Sequence, residues 1–309
     1  SGVLIPIQAK TIIVASQGYQ GMWNTPSRGT GNGLAISNAA GIRLKGMANI
    51  PMHALTIAGM GMVLPMDILG SGGRIRKESG EDASPFEVIG GEPCVLDMRS
   101  MEKSAEGWFE NTLSKVLDRT GLDVRNDVLP LSPTIVSTTG GIPVDDHCRA
   151  IFDSGKMWYT GLYAAGRSAH TGMHGTSPLP GNLIMEEVVT GMIAGKHAAE
   201  WSKSSQFGGQ ETIQQALSSS QKKIDQMFSS EGSPVGHIAK ALSSAMKIVE
   251  ASGDQSSMAI AQASINEISS LGMRVTDPSR RMNTELVAAL HVEGLLSLAS
   301  LITSNEEEE

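Results

Sequence analysis

Apolar and polar positions in the first fifty residues follow the pattern of a strand, a glycine turn and a helix. The β-branched run over residues 11–15 predicts a strand that is closed by Gly18. A helix is predicted over residues 34–40, with the glycine-rich turn at residues 30–33 before it and Gly41 at its end. A strand that leads directly into a helix is the building unit of α/β folds.

Residues 133–203 repeat this order of elements. The apolar stretch over residues 161–165 predicts a buried strand, and Gly166 predicts a turn immediately after it. Asn182 is suited to open a helix, and apolar residues at helical spacing continue that helix over residues 185–202. The two strand–turn–helix segments therefore predict an α/β domain to which both contribute.

The rest of the chain has other patterns. Residues 51–132 show weak periodicity, with a polar, loop-like stretch over residues 74–93 and one clear helix over residues 105–119. From residue 204 to residue 309, Gln, Ser and Ala dominate and apolar residues recur at helical spacing, ending in a helix over residues 285–302. The predicted fold class is therefore α/β with a C-terminal helical domain.

Composition and charge exclude several classes of function. The chain has 309 residues and a net charge of −8, so it is a poor candidate for electrostatic binding to nucleic acid. No apolar run approaches the roughly 18 uncharged residues that cross a bilayer, so no transmembrane segment is predicted. The two cysteines, Cys94 and Cys148, have no metal-like spacing, which favours reduced thiols in a cytoplasmic protein.

Two familiar binding motifs are missing from the sequence. His170 and His174 have the spacing of two metal ligands on one helix face, but the residues between them are loop-like and no third ligand is near. No metal is therefore predicted. A G-x-G-x-x-G fingerprint after a strand, which binds a dinucleotide pyrophosphate, is also absent, since the glycines at residues 29–33 have the wrong spacing.

Three blocks of sequence resemble the flavoprotein family of succinate dehydrogenase and fumarate reductase. The blocks are IQAKTIIVASQG with TGNGLAISNAAG (residues 7–18 and 30–41), GLYAAGRSAHTGMHG (residues 161–175) with the helix after it, and RRMNTELVAAL (residues 280–290). They follow one another in the order found in the family. The resemblance implies part of a Rossmann-like FAD-binding domain, a reduced capping domain and a C-terminal helical domain.

The resemblance also implies FAD as the cofactor and the residues that contact it. In the family, the first block lies at the adenine side of FAD and the second block faces the flavin ring. Arg167 stands where the family has a glutamate that holds the ribose, and Asn32 stands where it has an acidic residue. The candidate FAD-binding residues are Gly18, Asn32, Gly166, Arg167, His174, Asn182, Leu183 and Ile184.

The substrate residues of the family are only partly kept. His53 and Asp67 align with a histidine and a glutamate near the family's substrate, which makes them the candidate catalytic residues. Val136 and Pro178 stand where the family has a histidine and an arginine that clamp a dicarboxylate. Removing one member of a charged clamp typically costs several kcal/mol. Unmodified succinate or fumarate is therefore not the expected substrate.

Domain boundaries follow from the same resemblance. Residues 1–50 and 133–203 are predicted to be two parts of the FAD-binding domain, residues 51–132 a reduced capping and substrate domain, and residues 204–309 the helical domain. The early part of a family flavoprotein, with its pyrophosphate fingerprint, is not in this sequence. The chain is therefore expected to be a fragment of a longer protein, or to work with a separate subunit that supplies the missing N-terminal half.

The predicted function is an FAD-dependent oxidoreductase that transfers a hydride between a substrate carbon and flavin N5. Two alternatives stay open: a non-catalytic flavin-binding or scaffold subunit that works with a partner chain, and an oxidase or dehydrogenase of a less charged substrate. The expected partners are a small-molecule substrate and, from the family alone, an iron–sulfur subunit. The expected location is the cytoplasm, with membrane contact only through such a partner.

Overall fold

The computed structural model describes residues 3–23, 29–152, 155, 157–175, 178–179, 181–229, 231–252 and 255–304. These residues form two compact units. Within the described ranges, the larger unit comprises residues 3–23, 29–50 and 137–304, and the smaller unit comprises residues 51–136.

Short strands and longer helices build both units. The strands are β1 (Ile12–Val14), β2 (Met52–His53), β3 (Thr56–Ile57), β4 (Met62–Val63), β5 (Arg74–Lys77), β6 (Asp82–Ala83), β7 (Cys94–Asp97), β8 (Leu129–Pro130), β9 (Thr134–Ile135), β10 (Ile142–Pro143), β11 (Arg149–Phe152), β12 (Met157–Ala164), β13 (Ala169–His170), β14 (Ser233–Pro234) and β15 (Met273–Arg274). The helices are α1 (Asn32–Ala39), α2 (Asp67–Gly70), α3 (Pro85–Ile89), α4 (Lys103–Thr120), α5 (Asn182–Ser204), α6 (Gln210–Ser229), α7 (Val235–Ser252), α8 (Gln255–Ser270) and α9 (Thr284–Thr303).

A three-stranded sheet forms the α/β part of the larger unit. Its strand order is β1, β12, β11, and β12 pairs in parallel with β1 and antiparallel with β11. Helix α5 packs on this sheet, where Tyr163 and Ala165 are buried with Ala194 and Ala198. Among the described residues β1 is an edge strand, and its Ile12 side chain is 58% exposed. This exposure is unusual because strands in parallel sheets are generally covered on both faces.

Helix α9 lies at the centre of the helical part of the larger unit. It packs on α1, α7 and α8, and eight of its side chains are buried. By length and composition alone, α9 is apolar enough to cross a membrane, although the sequence predicts no transmembrane segment. Its neighbours and its buried side chains make it a core helix of this unit. Trp23 Nε1 donates to the Met246 carbonyl at 3.1 Å, which ties the turn after β1 to α7.

A four-stranded antiparallel sheet organises the smaller unit. Its strand order is β6, β5, β7, β8. Ile75 of β5 and Leu96 of β7 are register partners in this sheet, and both are buried in the core. Helix α4 buries Phe109 and Val116 in the same core, so one apolar layer holds helix and sheet together.

The prediction of a loop over residues 74–93 is wrong. Strands β5 and β6 and helix α3 form there, although β5 has only one buried apolar side chain, Ile75. Its other side chains are charged and are satisfied by ion pairs, so the strand has little hydrophobic pattern to detect. The ion pairs are Arg74–Asp82, Arg76–Asp97 and Lys77–Glu87.

The helices predicted from the sequence are present with shifted ends. Helices α4, α5 and α9 extend the ranges predicted from apolar periodicity by one to three residues at each end, and α1 begins two residues before its predicted start. Helix ends are the least certain part of any pattern-based prediction. The architecture confirms the predicted α/β class with a C-terminal helical part, while the four-part domain division stays a prediction.

Candidate functional site

The turn after β1 and the turn after β12 meet at the carboxyl ends of these two parallel strands. Ser16 N–H donates to Ser168 Oγ at 2.8 Å, and Ser168 Oγ donates to the Ser16 carbonyl at 3.0 Å. Ser168 is fully buried, so its hydroxyl ties the two strand ends together inside the protein. Ligands in open α/β sheets bind outside this end of the strands, which makes these turns the first candidate for a site.

Glycine-rich loops pack closely beside these turns. Gly31 N–H donates to the Gly18 carbonyl at 2.9 Å. A Cβ added to Gly18 would overlap Thr138 Oγ1, and one added to Gly140 would lie 2.6 Å from Met47 Cα. The loops therefore approach one another so closely that neither position has room for a side chain.

The turn after β12 is anchored to α5. Gly166 has φ 58°, in the left-handed region that favours glycine. Its N–H donates to Thr190 Oγ1 at 2.9 Å, and Thr190 Oγ1 donates to the Glu186 carbonyl at 2.5 Å. Thr190 is buried, so its hydroxyl links the backbone of the turn directly to the backbone of the helix.

Arg167 lies in this turn and is held by the same helix. Its Nε donates to Glu187 Oε1 at 2.6 Å, a charge-assisted hydrogen bond. Its Nη1 is buried and has no hydrogen-bond partner among the residues that the structure describes. One side of the guanidinium is therefore fixed by α5, and the other side retains an unused donor.

His174 and Glu186 form a second polar pair beside the start of α5. His174 Nε2 lies 3.5 Å from Glu186 Oε2, and the two side chains are only 17% and 10% exposed. Thr171 Oγ1 donates to the other oxygen of Glu186. At 3.5 Å the His174 ring nitrogen is not hydrogen-bonded, and within the described part of the chain it has no partner.

The larger unit thus contains buried polar atoms that its described residues leave unsatisfied. Besides Arg167 Nη1 and His174 Nε2, Ser137 Oγ is buried without a hydrogen-bond partner among the described residues. Leaving a buried donor or acceptor unpaired costs roughly 1–3 kcal/mol, so each such group in a folded protein requires a reason. A polar ligand that supplies the missing partners is such a reason.

No side chain of the described residues caps the start of α1 or the start of α5, so a ligand can approach both helix starts. Helix α5 begins at Asn182, as predicted, but its N-cap is Gly181 in the left-handed conformation, and no side chain caps it. The N-cap of α1 is Gly31, and Asn32 is the first helical residue rather than a cap. The first amides of a helix lack intrahelical acceptors and carry a positive partial charge, which favours anionic or electron-rich groups.

The candidate catalytic residues lie in the smaller unit. His53 Nε2 lies 2.8 Å from the Leu64 carbonyl, so in the neutral ring Nε2 carries the proton and Nδ1 is the acceptor. Asp67 is the exposed first residue of α2. The structure records no hydrogen bond or ion pair between the side chains of His53 and Asp67, both of which are described.

Sequence patterns missed several residues that shape this site. Glu186, Glu187 and Thr190 all lie on α5 and reach the turn after β12, but nothing in the helical period of α5 marks them. Ser168 was missed because a serine inside a turn is normally a surface residue. Two acidic residues shortly after a predicted helix start were the only available signal, since acidic side chains are favoured near the positive end of the helix dipole.

Comparison with known proteins identifies the family and the cofactor of the chain. A family model described as an FAD binding domain matches residues 2–184, more than half of the chain. The chain belongs to the succinate dehydrogenase/fumarate reductase flavoprotein family. Its cofactor is FAD, and both predictions are confirmed.

Individual relatives agree with this assignment. The fumarate reductase flavoprotein subunit of Escherichia coli is 24% identical over 347 aligned positions, which cover 96% of this chain and 56% of the relative. L-aspartate oxidase of Mycobacterium tuberculosis is 28% identical over 222 positions, which cover 62% of this chain and 40% of that enzyme. A solved structure of E. coli quinol fumarate reductase has the same fold, with a TM-score of 0.86 at 20% identity over 98% of this chain and 59% of that one. The chain therefore spans about half the length of these family members.

The residues present in the larger unit fit FAD. The flavoprotein cofactor carries hydroxyl, phosphate and ring carbonyl groups, all of which accept hydrogen bonds. Arg167 Nη1 is an unused donor among the described residues, and it lies on the turn beside α5. At the start of α5, the amides of Asn182 and Ile184 already donate to the carbonyls of Leu179 and Gly181, both at 3.1 Å. In the loop before α5, Gly172 and Gly175 both have positive φ, and no atom of the described residues lies within 4 Å of where their Cβ would be. A cofactor bound at this place requires both a free hydrogen-bond donor, such as Arg167 Nη1, and space beside it.

Proposed function

We propose that this chain is the later part of an FAD-dependent oxidoreductase. When bound, FAD supplies the hydride donor and acceptor position at flavin N5. The observation that carries the proposal is the buried Arg167 Nη1, which lacks a hydrogen-bond partner among the described residues and lies on the turn after β12 in a chain of an FAD-binding family. In this proposal Arg167, His174 and residues 182–184 contact the cofactor, and Gly18, Asn32 and Gly166 allow its close approach.

Arg167 gives this chain a cofactor contact of its own. Its guanidinium is oriented by Glu187, and its free Nη1 can donate to a ribose or ribityl hydroxyl or to a phosphate oxygen. Thr190 holds Gly166 and thereby the backbone of the same turn. The role of these residues is to bind and orient the cofactor, because none of them carries a group suited to proton transfer at neutral pH.

His53 and Asp67 are proposed to act on the substrate. The Leu64 carbonyl accepts from His53 Nε2, which leaves Nδ1 as the base that can take or return a proton. Val136 and Pro178 stand where family members clamp a dicarboxylate, so we propose an organic substrate with less charge than succinate. The hydride is exchanged between a carbon of that substrate and the cofactor.

A further polypeptide is proposed to complete the FAD site. The outward face of α5 is apolar from its start, with Met192 72% exposed, and β1 presents Ile12 and Ile13. The exposed apolar residues of α5 are Ile184, Met185, Val188, Val189 and Met192. A contiguous apolar surface of this size marks an interface, and an N-terminal half with the pyrophosphate fingerprint is the occupant that the family predicts. An iron–sulfur subunit stays a prediction from the family alone.

Native mass spectrometry of the protein from its own source tests the proposal directly. We expect a species heavier than the 32.5 kDa of this chain that retains FAD on gentle ionisation and loses it on denaturation. Recovery of this chain alone and free of flavin would contradict the proposal. In that case the second candidate, a scaffold subunit without chemistry, is favoured by the absence of a charged clamp at Val136 and Pro178.

Replacing Arg167 with alanine is predicted to weaken FAD binding about tenfold, because one charge-assisted hydrogen bond contributes on the order of 1.4 kcal/mol. FAD release from the purified holoprotein, followed by the rise of flavin fluorescence, measures the effect. The matched control is Arg281→Ala, since Arg281 is exposed and lies outside the proposed site. Equal FAD affinity in the two variants would remove Arg167 from the cofactor site while leaving the family assignment intact.

A further inference from the structure

We propose that the cleft between α1, α6 and α9 binds a small, neutral, flat molecule that bears one group able both to donate and to accept a hydrogen bond. A phenolic hydroxyl or a carboxamide is such a group. The proposal goes beyond the oxidoreductase function, since two of the three helices that line the cleft, α6 and α9, belong to the helical part of the larger unit. Of the proposed FAD-binding residues only Asn32 lines the cleft, at one end of α1.

The cleft has the size and the walls of a ligand site. Its volume is about 590 Å³, and small-molecule sites typically enclose roughly 300–1,000 Å³. Two small residues form its floor, because a Cβ on Gly294 would lie only 3.0 Å from the Ala35 Cβ. Ile36 of α1 and Val287 of α9 line the cleft from two different helices, and both are exposed, Ile36 by 71%. An apolar ring that covers these two side chains would remove both of them from water.

An ion pair closes the polar end of the cleft. Lys223 Nζ of α6 lies 2.9 Å from Glu293 Oε2 of α9. That oxygen is buried. A carboxylate can accept about four hydrogen bonds, so Glu293 can accept a further one beside the ion pair, and Lys223, which is half exposed, has further N–H donors.

The charges of this pair select the class of ligand. Lys223 and Glu293 neutralise each other, so an ionic ligand would leave one charge uncompensated in a partly buried place. A neutral group that donates to the carboxylate and accepts from the ammonium satisfies both partners at once. A flat ring is the proposed shape, because such a ring can cover both exposed apolar side chains, Ile36 and Val287, at once.

Helix α6 is built to admit such a ligand. Among its described side chains only Met227 is buried, so few packing contacts resist a small outward movement of the helix. A second cavity of about 430 Å³ lies on the other side of the same ion pair and is also lined by α6 and α9. The ion pair therefore lies between two cavities, in a loosely packed region between α6 and α9.

Titration of the full 309-residue chain with 2-naphthol tests the site, with methyl resonances of Ile and Val followed by NMR. The resonances of Ile36 and Val287 are expected to shift together with a Kd below about 1 mM. Those of Ile184 and Val188, on the exposed face of α5, are expected to stay in place. Shifts confined to the α5 face, or no shift at Ile36 and Val287, would overturn the proposal.

Variants and a matched probe separate the polar contact from mere apolar binding. Glu293→Met keeps the length of the side chain and is expected to weaken 2-naphthol binding about tenfold, while Glu267→Met, an exposed change on α8, leaves it unchanged. In the unsubstituted chain, 2-methoxynaphthalene, which cannot donate, is expected to bind about tenfold more weakly than 2-naphthol. Equal affinity for the two probes would overturn the assigned ligand class.

Two further measurements complete the test. Ala39→Trp, at an exposed position of the cleft, is expected to fill the slot and abolish binding, and its unchanged thermal denaturation curve shows that the fold is kept. An excess of FAD is not expected to displace 2-naphthol. Displacement by FAD would assign the cleft to the cofactor and overturn the proposal without affecting the proposed oxidoreductase function.

Discussion

Replacing Gly140 with alanine is expected to lower the free energy of unfolding of the larger unit by about 3 kcal/mol. The added methyl group would lie 2.6 Å from Met47 Cα and 2.6 Å from the Gly46 carbonyl carbon. Both are backbone atoms, so they cannot rotate away as a flexible side chain could. Gly140 has no left-handed φ, which leaves the lack of space as the sole cause.

Urea denaturation measures this effect, with the fluorescence of buried Trp23 reporting on the larger unit. The control is Gly191→Ala, at an exposed position on α5 of the same unit, where no atom of the described residues lies within 4 Å of the new Cβ. That change is expected to stabilise by about 0.5–1 kcal/mol, since alanine favours a helix. A Gly140→Ala chain as stable as the unsubstituted one would mean that these loops are not in contact.

The second large effect is expected from Asp97→Asn in the smaller unit, which should cost about 2 kcal/mol at pH 7. Asp97 is 4% exposed and accepts hydrogen bonds from Arg99 Nε and Nη2, both at 2.9 Å. Arg76 Nε lies 3.2 Å from the same carboxylate. The hydrogen bonds from Arg99 hold the pKa of Asp97 at about 2, below its usual 3.8.

The pH dependence of this effect has a defined direction. The pKa of Asp97 is lower in the folded than in the unfolded chain, so its stabilisation is complete above about pH 4 and is lost as the pH falls towards 2. The stabilities of Asp97→Asn and the unsubstituted chain in urea denaturation should therefore differ most at pH 7 and approach each other as the pH falls towards 2. Asp82→Asn is the control, because Asp82 is exposed and its ion pairs with Arg74 and Arg76 are long. A gap between Asp97→Asn and the unsubstituted chain that persists at low pH would contradict the assignment.

The local pattern of apolar and polar residues was sufficient to predict the main strands and helices of the larger unit. β1 and β12 have apolar, β-branched or small residues bounded by glycine, and α5 and α9 have apolar residues at helical spacing over many turns. Long amphipathic runs leave few alternatives, because burial of one face dominates their folding free energy. The resemblance of the three sequence blocks to one family then predicted the cofactor, which the periodicity of apolar residues cannot predict.

The side-chain contacts of the candidate site could not be predicted from the pattern of apolar and polar residues. Arg167 is hydrogen-bonded to Glu187, which lies 20 positions later in the sequence. Neither the periodicity of apolar residues nor secondary-structure propensity predicts which charged side chains will be in contact. β5 was missed for a related reason, since its stability rests on ion pairs and one buried isoleucine. Long-range polar contacts depend on the finished fold, and a sequence shows them only after the fold is known.

The uncovered edge at β1 also has a consequence for how the cell must produce this chain. A strand with free backbone groups and exposed Ile12 and Ile13 is a template for pairing with any other extended chain, including further copies of itself. If the proposed further polypeptide covers this edge, copies of the chain made in excess of it would be prone to aggregate or to be bound by chaperones. The proposal therefore implies balanced synthesis of the two, or their production as one continuous chain.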